Sequence, residues 1–218
     1  MTIIELIQKN YGVLLEGLGT TLKITLLSLI IASIIGIVFG LLNVSHNKIL
    51  RLIATIYIDI IRGTPVIVLA FFIYFGIPVA LGIRLDAMTA GIITLSLNAG
   101  AYMAEIVRAG IQSVDKGQME AARSLGLPYG KAMTKVILPQ ALRTMTPSII
   151  NQFIITLKDT SILSVIGIRE LTKNGQIIIA ANYEPLRMWA IIAVMYLVVI
   201  TILSKVSKSI ERRISYGK

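Results

Sequence analysis

The sequence predicts an all-α membrane protein with five transmembrane helices and a cytoplasmic helix–turn–helix between the third and fourth. Three observations carry that prediction. Of 218 residues, 56% are hydrophobic and only 15% charged, where a soluble domain carries ~25% charged residues. The apolar residues collect into runs of about 20, the length that crosses a hydrocarbon core as a helix. The basic residues sit at the ends of those runs, where membrane topology places them, and not along one stripe as on a nucleic-acid-binding fold. The formal charge of +10 therefore speaks for topology and against a nucleic-acid partner.

The elements follow in order. The amino terminus, MTIIELIQKNYG, holds Glu5 and Lys9 and lacks the basic-then-apolar pattern of a cleavable signal, so the first apolar run is expected to remain in the mature chain. That run, Leu22–Leu42, is the first span. Gly36 and Gly40 stand in it at G-x-x-x-G spacing, which suits close helix packing or a dimer face. The second span, Leu52–Leu81, is overlong and interrupted by DIIRGTP, Asp59 to Pro65. The third, Ala87–Ile111, contains Asn98, Glu105 and Arg108; the fourth, Pro147–Ile168, carries KDTS, Lys158 to Ser161, near its middle. Leu186–Val206 is the fifth and the most uniformly apolar. Barrel strands would show alternating segments of ~10 residues, and the chain has none. Residues 1–218 are read as a single transmembrane domain.

Lysine and arginine give the orientation. Arg108, Lys116, Arg123, Lys131, Lys135 and Arg143 lie between spans three and four, and Lys205, Lys208, Arg212, Arg213 and Lys218 in the tail. Both stretches are expected in the cytoplasm, with the connector that holds Lys48 and Arg51. The amino terminus, the loop around Arg84 and the loop 169–185 then fall outside, giving N-out, C-in.

Between spans three and four lies EAARSLGLPYGKAMTKVILP, Glu120 to Pro139, within a polar segment 115–139. Asp115 is placed to cap a short helix from Lys116 to Leu125. Gly126 sits where helices end in a left-handed residue. Pro128 suits the first turn of a second short helix, Tyr129–Leu138, and Pro139 is expected to end it. Ala121 and Ala122 beside Glu120 predict a low-relief surface fit for a groove on another protein; a connector lying on the membrane surface is the other reading.

These residues resemble a known pattern. E-A-A, three residues, Gly126, nine residues, then V-I-L-P is similar to the cytoplasmic EAA loop of permease subunits of binding-protein-dependent ABC importers. Glu120, Ala121, Ala122, Gly126, Leu138 and Pro139 match, and Val136 stands at the isoleucine position. LEGLGTTLKITLLS (Leu15–Ser28), RGTP (Arg62–Pro65) and NAGAYMAEIVRAGIQSVDKGQ (Asn98–Gln118) resemble the polar amino-acid branch of that family. The resemblance implies alternating access driven by a separate ABC ATPase dimer, which binds ATP and magnesium and docks on the Glu120–Pro139 loop. It implies a second permease copy or a sister permease, an external solute-binding protein, membrane lipid around the helices, an amino-acid substrate, and a multi-pass location in a prokaryotic cytoplasmic (inner) membrane.

The residues exclude several chemistries on their own. A phosphate-binding loop needs G-x-x-x-x-G-K-[ST]; Gly126, Gly130 and Lys131 fall one residue short, with Ala132 in place of the hydroxyl. No cysteine is present, and the one histidine, His46, lies in a polar connector. No metal site and no nucleophile–base set is expected, so the chain is read as a non-catalytic subunit without a cofactor of its own.

Charges inside the spans mark the candidate substrate pathway, because a charge at the bilayer centre costs ~2.5–3.5 kcal/mol on insertion scales and is retained when functional or paired. Asp59 and Arg62, three apart, can pair on one helix face. Asn98, Tyr102 and Glu105 share one face of span three, and Lys158, Asp159 and Ser161 lie near mid-membrane. With Thr64 in the broken stretch of span two, these nine are the pathway candidates, and the carboxylates tilt the ligand toward a basic amino acid. Structural ion pairs, Asp59–Arg62 and Glu105–Arg108, are the competing reading. At the level of function the rivals are an ATP-independent secondary carrier or channel, which usually shows two related halves, and a membrane scaffold without transport.

Overall fold

The computed structural model describes residues 2–216, all-helical among the described residues. The side chains of Lys208, Arg212 and Arg213, and Lys218 entirely, named above for the basic tail, lie outside what is described.

Helix α1, Ile3–Asn43, starts at a capping box. The Glu5 N–H donates to Thr2 Oγ1 at 3.2 Å and the Thr2 N–H to Glu5 Oε2 at 2.9 Å, which satisfies two amides that would otherwise lack partners. The helix has 41 residues, about 60 Å at helical rise and twice a hydrocarbon core. Its first half packs Leu6 and Leu14 against Leu171, Ile178, Met188 and Ile191. Its second half packs on the helix Ala87–Gln112, which we call α4. A Cβ on Gly40 would stand 2.6 Å from Val107 Cβ, and one on Gly36 would collide with Met103. The glycine pair therefore serves close packing within the chain, not an open dimer face.

Helices α2, Lys48–Gly63, and α3, Val66–Leu81, meet at a break of 103°. The overlong second run is thus two arms and not one straight span. Pro65 caps α3 without an amide to give. The described residues hold four helices long and apolar enough to cross a membrane, or five if the bent pair counts as one.

Helix α4 is the central element. Its buried face is built of small residues, among them Ala90, Gly91, Ala99, Gly100, Ala104 and Gly110, which let neighbouring backbones approach. Tyr57 of α2 donates its hydroxyl to the Leu97 carbonyl at 2.8 Å.

After α5, Lys116–Ser124, the chain enters α6, which runs from Tyr129 to Ile166. Here the expectation of a helix ending at Pro139 is corrected. The five residues Met133–Ile137 form a π turn in which the Leu138 N–H reaches Met133 O, and the helix continues through Pro139 and Pro147. The wider turn makes room for the proline ring where a regular turn would clash. The same device recurs in α3, where Phe72–Gly76 form a π turn just ahead of Pro78. From Thr160 to Ile166 α6 tightens into a 3₁₀ turn and stops at Gly167, φ +87°. Helices α7, Leu171–Asn182, and α8, Pro185–Tyr216, complete the chain.

Helices α4 and α6 run antiparallel: Gly91 meets Leu163 and Ile168, and Gly110 meets Met145 and Ala141. At the Gly110 end, the His46 ring lies 5.5 Å from the Tyr129 ring, so the α1–α2 connector and the segment leading into α6 share that end. The first half of α1 and α7 share the other.

Candidate functional site

Two places collect the residues singled out by sequence. The first is the elbow between α4 and α6. Asp115 caps α5, accepting the Gly117 N–H at 2.7 Å. Met119 packs against the cluster of Val107, Ile111 and Ile137, and Ala122 is buried. Glu120 and Ala121 face outward. The low-relief surface expected of both alanines is thus Ala121 alone; Ala122 is the inward packing residue. The helix ends in two crossed bonds, Gly126 N–H to Arg123 O at 3.0 Å and Leu127 N–H to Ala122 O at 3.2 Å. That pattern needs a left-handed residue at Gly126, whose φ is +82°. Arg123 Nη1 adds a bond to Leu127 O at 3.0 Å. The turn leaves Leu125 85% exposed at the tip. On the α6 side Val136 and Leu138 are half-buried around buried Ile137, and Pro139 is exposed.

The second place is a polar seam on α4. The Glu105 carboxylate is held bidentately by Arg108, with Nε 2.8 Å from Oε2 and the Nη2–Oε1 contact closing the fork. Arg108 Nη1 continues to Gln112 Oε1 at 2.5 Å. From the end of α2, Arg62 Nη1 reaches to 3.8 Å of Glu105 Oε2 while its guanidinium lies 5.2 Å from the Tyr102 ring centroid, a cation–π distance. Two arginines thus face one carboxylate, and the seam keeps net positive charge. The Asp59–Arg62 pair is not formed: Asp59 is exposed and makes no salt bridge among the described residues, because Arg62, at the helix end, turns to α4. Thr64 spends its hydroxyl on Ile60 O at 2.7 Å.

Asn98 lies on the same face of α4 as Tyr102 and Glu105, is 7% exposed, and its amide has no partner among the described residues. Lys158 is exposed and Asp159 half-buried, where α6 tightens; Ser161 donates to Lys158 O at 2.7 Å. No hydrogen bond or ion pair among the described residues joins this trio to the Arg62–Glu105 seam.

Sequence reasoning missed three polar positions. Gln152 and Thr156 are buried on α6, four apart in an apolar helix, a spacing that marks one face. Glu170 is fully buried. Its Oε1 accepts the Lys173 N–H at 2.6 Å; its Oε2 accepts the Thr172 N–H at 2.8 Å and the Tyr196 hydroxyl at 3.0 Å. Burial pushes this carboxyl above the usual range, against the pull of those bonds. Beside it Asn174 Nδ2 donates to Val13 O at 2.7 Å and the Leu171 N–H to Thr21 Oγ1 at 3.2 Å, tying α7 to α1. No group of three metal-ligating residues gathers among the described residues.

Comparison with known proteins identifies the family. A family model described as binding-protein-dependent transport system inner membrane component matches residues 32–216. The chain belongs to that family. It is therefore an inner-membrane, multi-pass transport component. Its relatives include the glutamine transport system permease protein GlnP of Escherichia coli (strain K12), 43% identical over 201 residues and 92% of each chain. The arginine transport system permease protein ArtQ of Bacillus subtilis (strain 168) is 41% identical, again over 92% of each. A crystal structure described as an amino acid ABC transporter with histidines superposes with a TM-score of 0.91 at 41% identity, covering 98% of this chain and 99% of that one.

Proposed function

We propose that the chain is the translocation subunit of an ATP-driven importer of polar amino acids, working by alternating access. It is oriented N-out, C-in, pairs with a second copy or sister permease, and receives substrate from an external solute-binding protein. ATP and magnesium belong to a partner ABC ATPase dimer that docks on the Glu120–Pro139 elbow. The observation that carries this reading is the elbow itself: a pinned turn that shows Glu120, Ala121 and Leu125 outward while Ala122 and Ile137 anchor it to the bundle. The glutamine and arginine permeases among the relatives support the substrate class.

The pathway follows from charge. Glu105 is already met by Arg62 and Arg108, so the seam favours the carboxylate of an amino acid, with Asn98 and Tyr102 beside it. The half-buried Asp159 has no salt bridge among the described residues and suits the ammonium or a basic side chain. Lys158, Ser161, Asp59 and Thr64 line the approaches. The deciding experiment reconstitutes the permease with its ATPase and binding protein and measures substrate-stimulated ATP hydrolysis. Glu105→Gln, which frees Arg62 and Arg108 for the substrate carboxylate, should lower the apparent substrate constant, and Asp159→Asn should raise it. Unchanged values in both would remove them from the pathway, and gradient-driven uptake by the chain without any ATPase would favour a secondary carrier.

A further inference from the structure

Below the seam, between the start of α2, the end of α4 and the elbow, lies a cavity of about 620 Å³. Arg51, Arg108 and Lys116 line it against one acid, Asp115. The three cations are not equally free. Arg108 is committed to Glu105 and Gln112, whereas Arg51 and Lys116 form no salt bridge among the described residues. Asp115 spends Oδ1 on the Gly117 N–H. The remaining wall holds Val44, Ile111, Met133 and Ile137, with the amides of Asn43 and Gln112 at its edge. A niche with uncompensated cations on one side and hydrocarbon on the other fits an anion that carries its own apolar stem.

We propose that this cavity binds the phosphate of an anionic membrane lipid, with the glycerol and upper acyl carbons against the apolar wall. Basic pockets between membrane helices at the cytoplasmic boundary attract such headgroups. A soluble phosphate satisfies the cations and leaves the apolar wall wet. The bound lipid touches α2 and both arms of the elbow, so it braces the segment that carries motion between bundle and motor. The inference rests on the orientation proposed above and not on the identity of the transported substrate.

The test uses the permease purified with its ATPase from membranes of mixed phosphatidylglycerol and phosphatidylcholine, and counts retained lipid by native mass spectrometry. The wild type should retain phosphatidylglycerol preferentially. At about 1 kcal/mol per basic residue near the membrane surface, Arg51→Gln and Lys116→Gln should each weaken retention about fivefold, and their combination about 25-fold if the two energies add. Arg51→Lys should retain binding, which separates lost charge from a lost fold, and Arg84→Gln, at the other end of the bundle, should change nothing. Equal retention of the two lipids, unchanged retention in the double variant, or displacement by soluble glycerol phosphate would overturn the lipid assignment. Co-purified ATPase is read in the wild-type sample: no lipid preference with the ATPase still bound sinks this inference alone, and an absent ATPase sinks the importer reading.

Discussion

Gly126 has a φ of +82° and no heavy atom within 4 Å of where a Cβ would stand. Its requirement is conformational and not steric, so Gly126→Ala should cost about 1–2 kcal/mol through the left-handed backbone alone. Because that backbone sets the angle of the elbow, stimulated ATP turnover of the reconstituted complex should fall further than the unfolding temperature does; normal turnover would place the coupling elsewhere. Glu170 makes a different demand. Its carboxyl is raised by burial above the ordinary glutamate range near ~4.3, so the native state keeps a proton that the unfolded chain has lost. The stability from this group is full below the ordinary range and is lost as pH rises through the raised value. The unfolding temperature of the detergent-solubilised wild type should decline across that interval, and Glu170→Gln should flatten the decline. Residue spacing made the Glu105–Arg108 fork legible, since residues three apart on a helix meet. The same rule suggested Asp59–Arg62 and failed there, because a residue at a helix end has a second helix within reach, and that helix lies far away in sequence.

Among the elements, run length made the helices legible and local chemistry hid their ends. Helix α1 begins at Ile3 and not at Leu22; Glu5, Lys9 and Glu16 lower the apolar signal there without interrupting backbone bonding that the Thr2 cap starts. Pro139 reads as a stop because a regular turn cannot hold its ring, and the π turn ahead of it removes that clash. The π turn is a local weakness retained beside the elbow, as such turns often are at functional positions. Pro139→Ala restores an amide donor and lets the regular register form. Hydrogen exchange over residues 133–137 should then slow, and coupled ATP turnover should drop with the bundle intact; unchanged exchange would show that the proline does not hold the turn open.

At the scale of the whole molecule, the chain has no cysteine, so single labels report cleanly on sidedness. Leu125 and Tyr183 are each 85% exposed, at opposite ends of the bundle. In intact cells a membrane-impermeant thiol reagent should modify Tyr183→Cys and spare Leu125→Cys; the reverse would invert the topology and remove the elbow from the motor's side. The 103° break has a further effect that belongs to the lipid phase. α2 has 16 residues and α3, from 66 to 81, has 81 − 66 + 1 = 16, so each arm spans about 24 Å against a hydrocarbon core of ~30 Å. Counted as one span, the two arms cross only together, and the bend brings their joint reach to about 30 Å, close to the core itself; a thicker bilayer must thin around them, at a modest cost per ångström. Turnover should therefore decline in long-chain phospholipid, so that the thickness of the host membrane becomes a control on how fast solute crosses it.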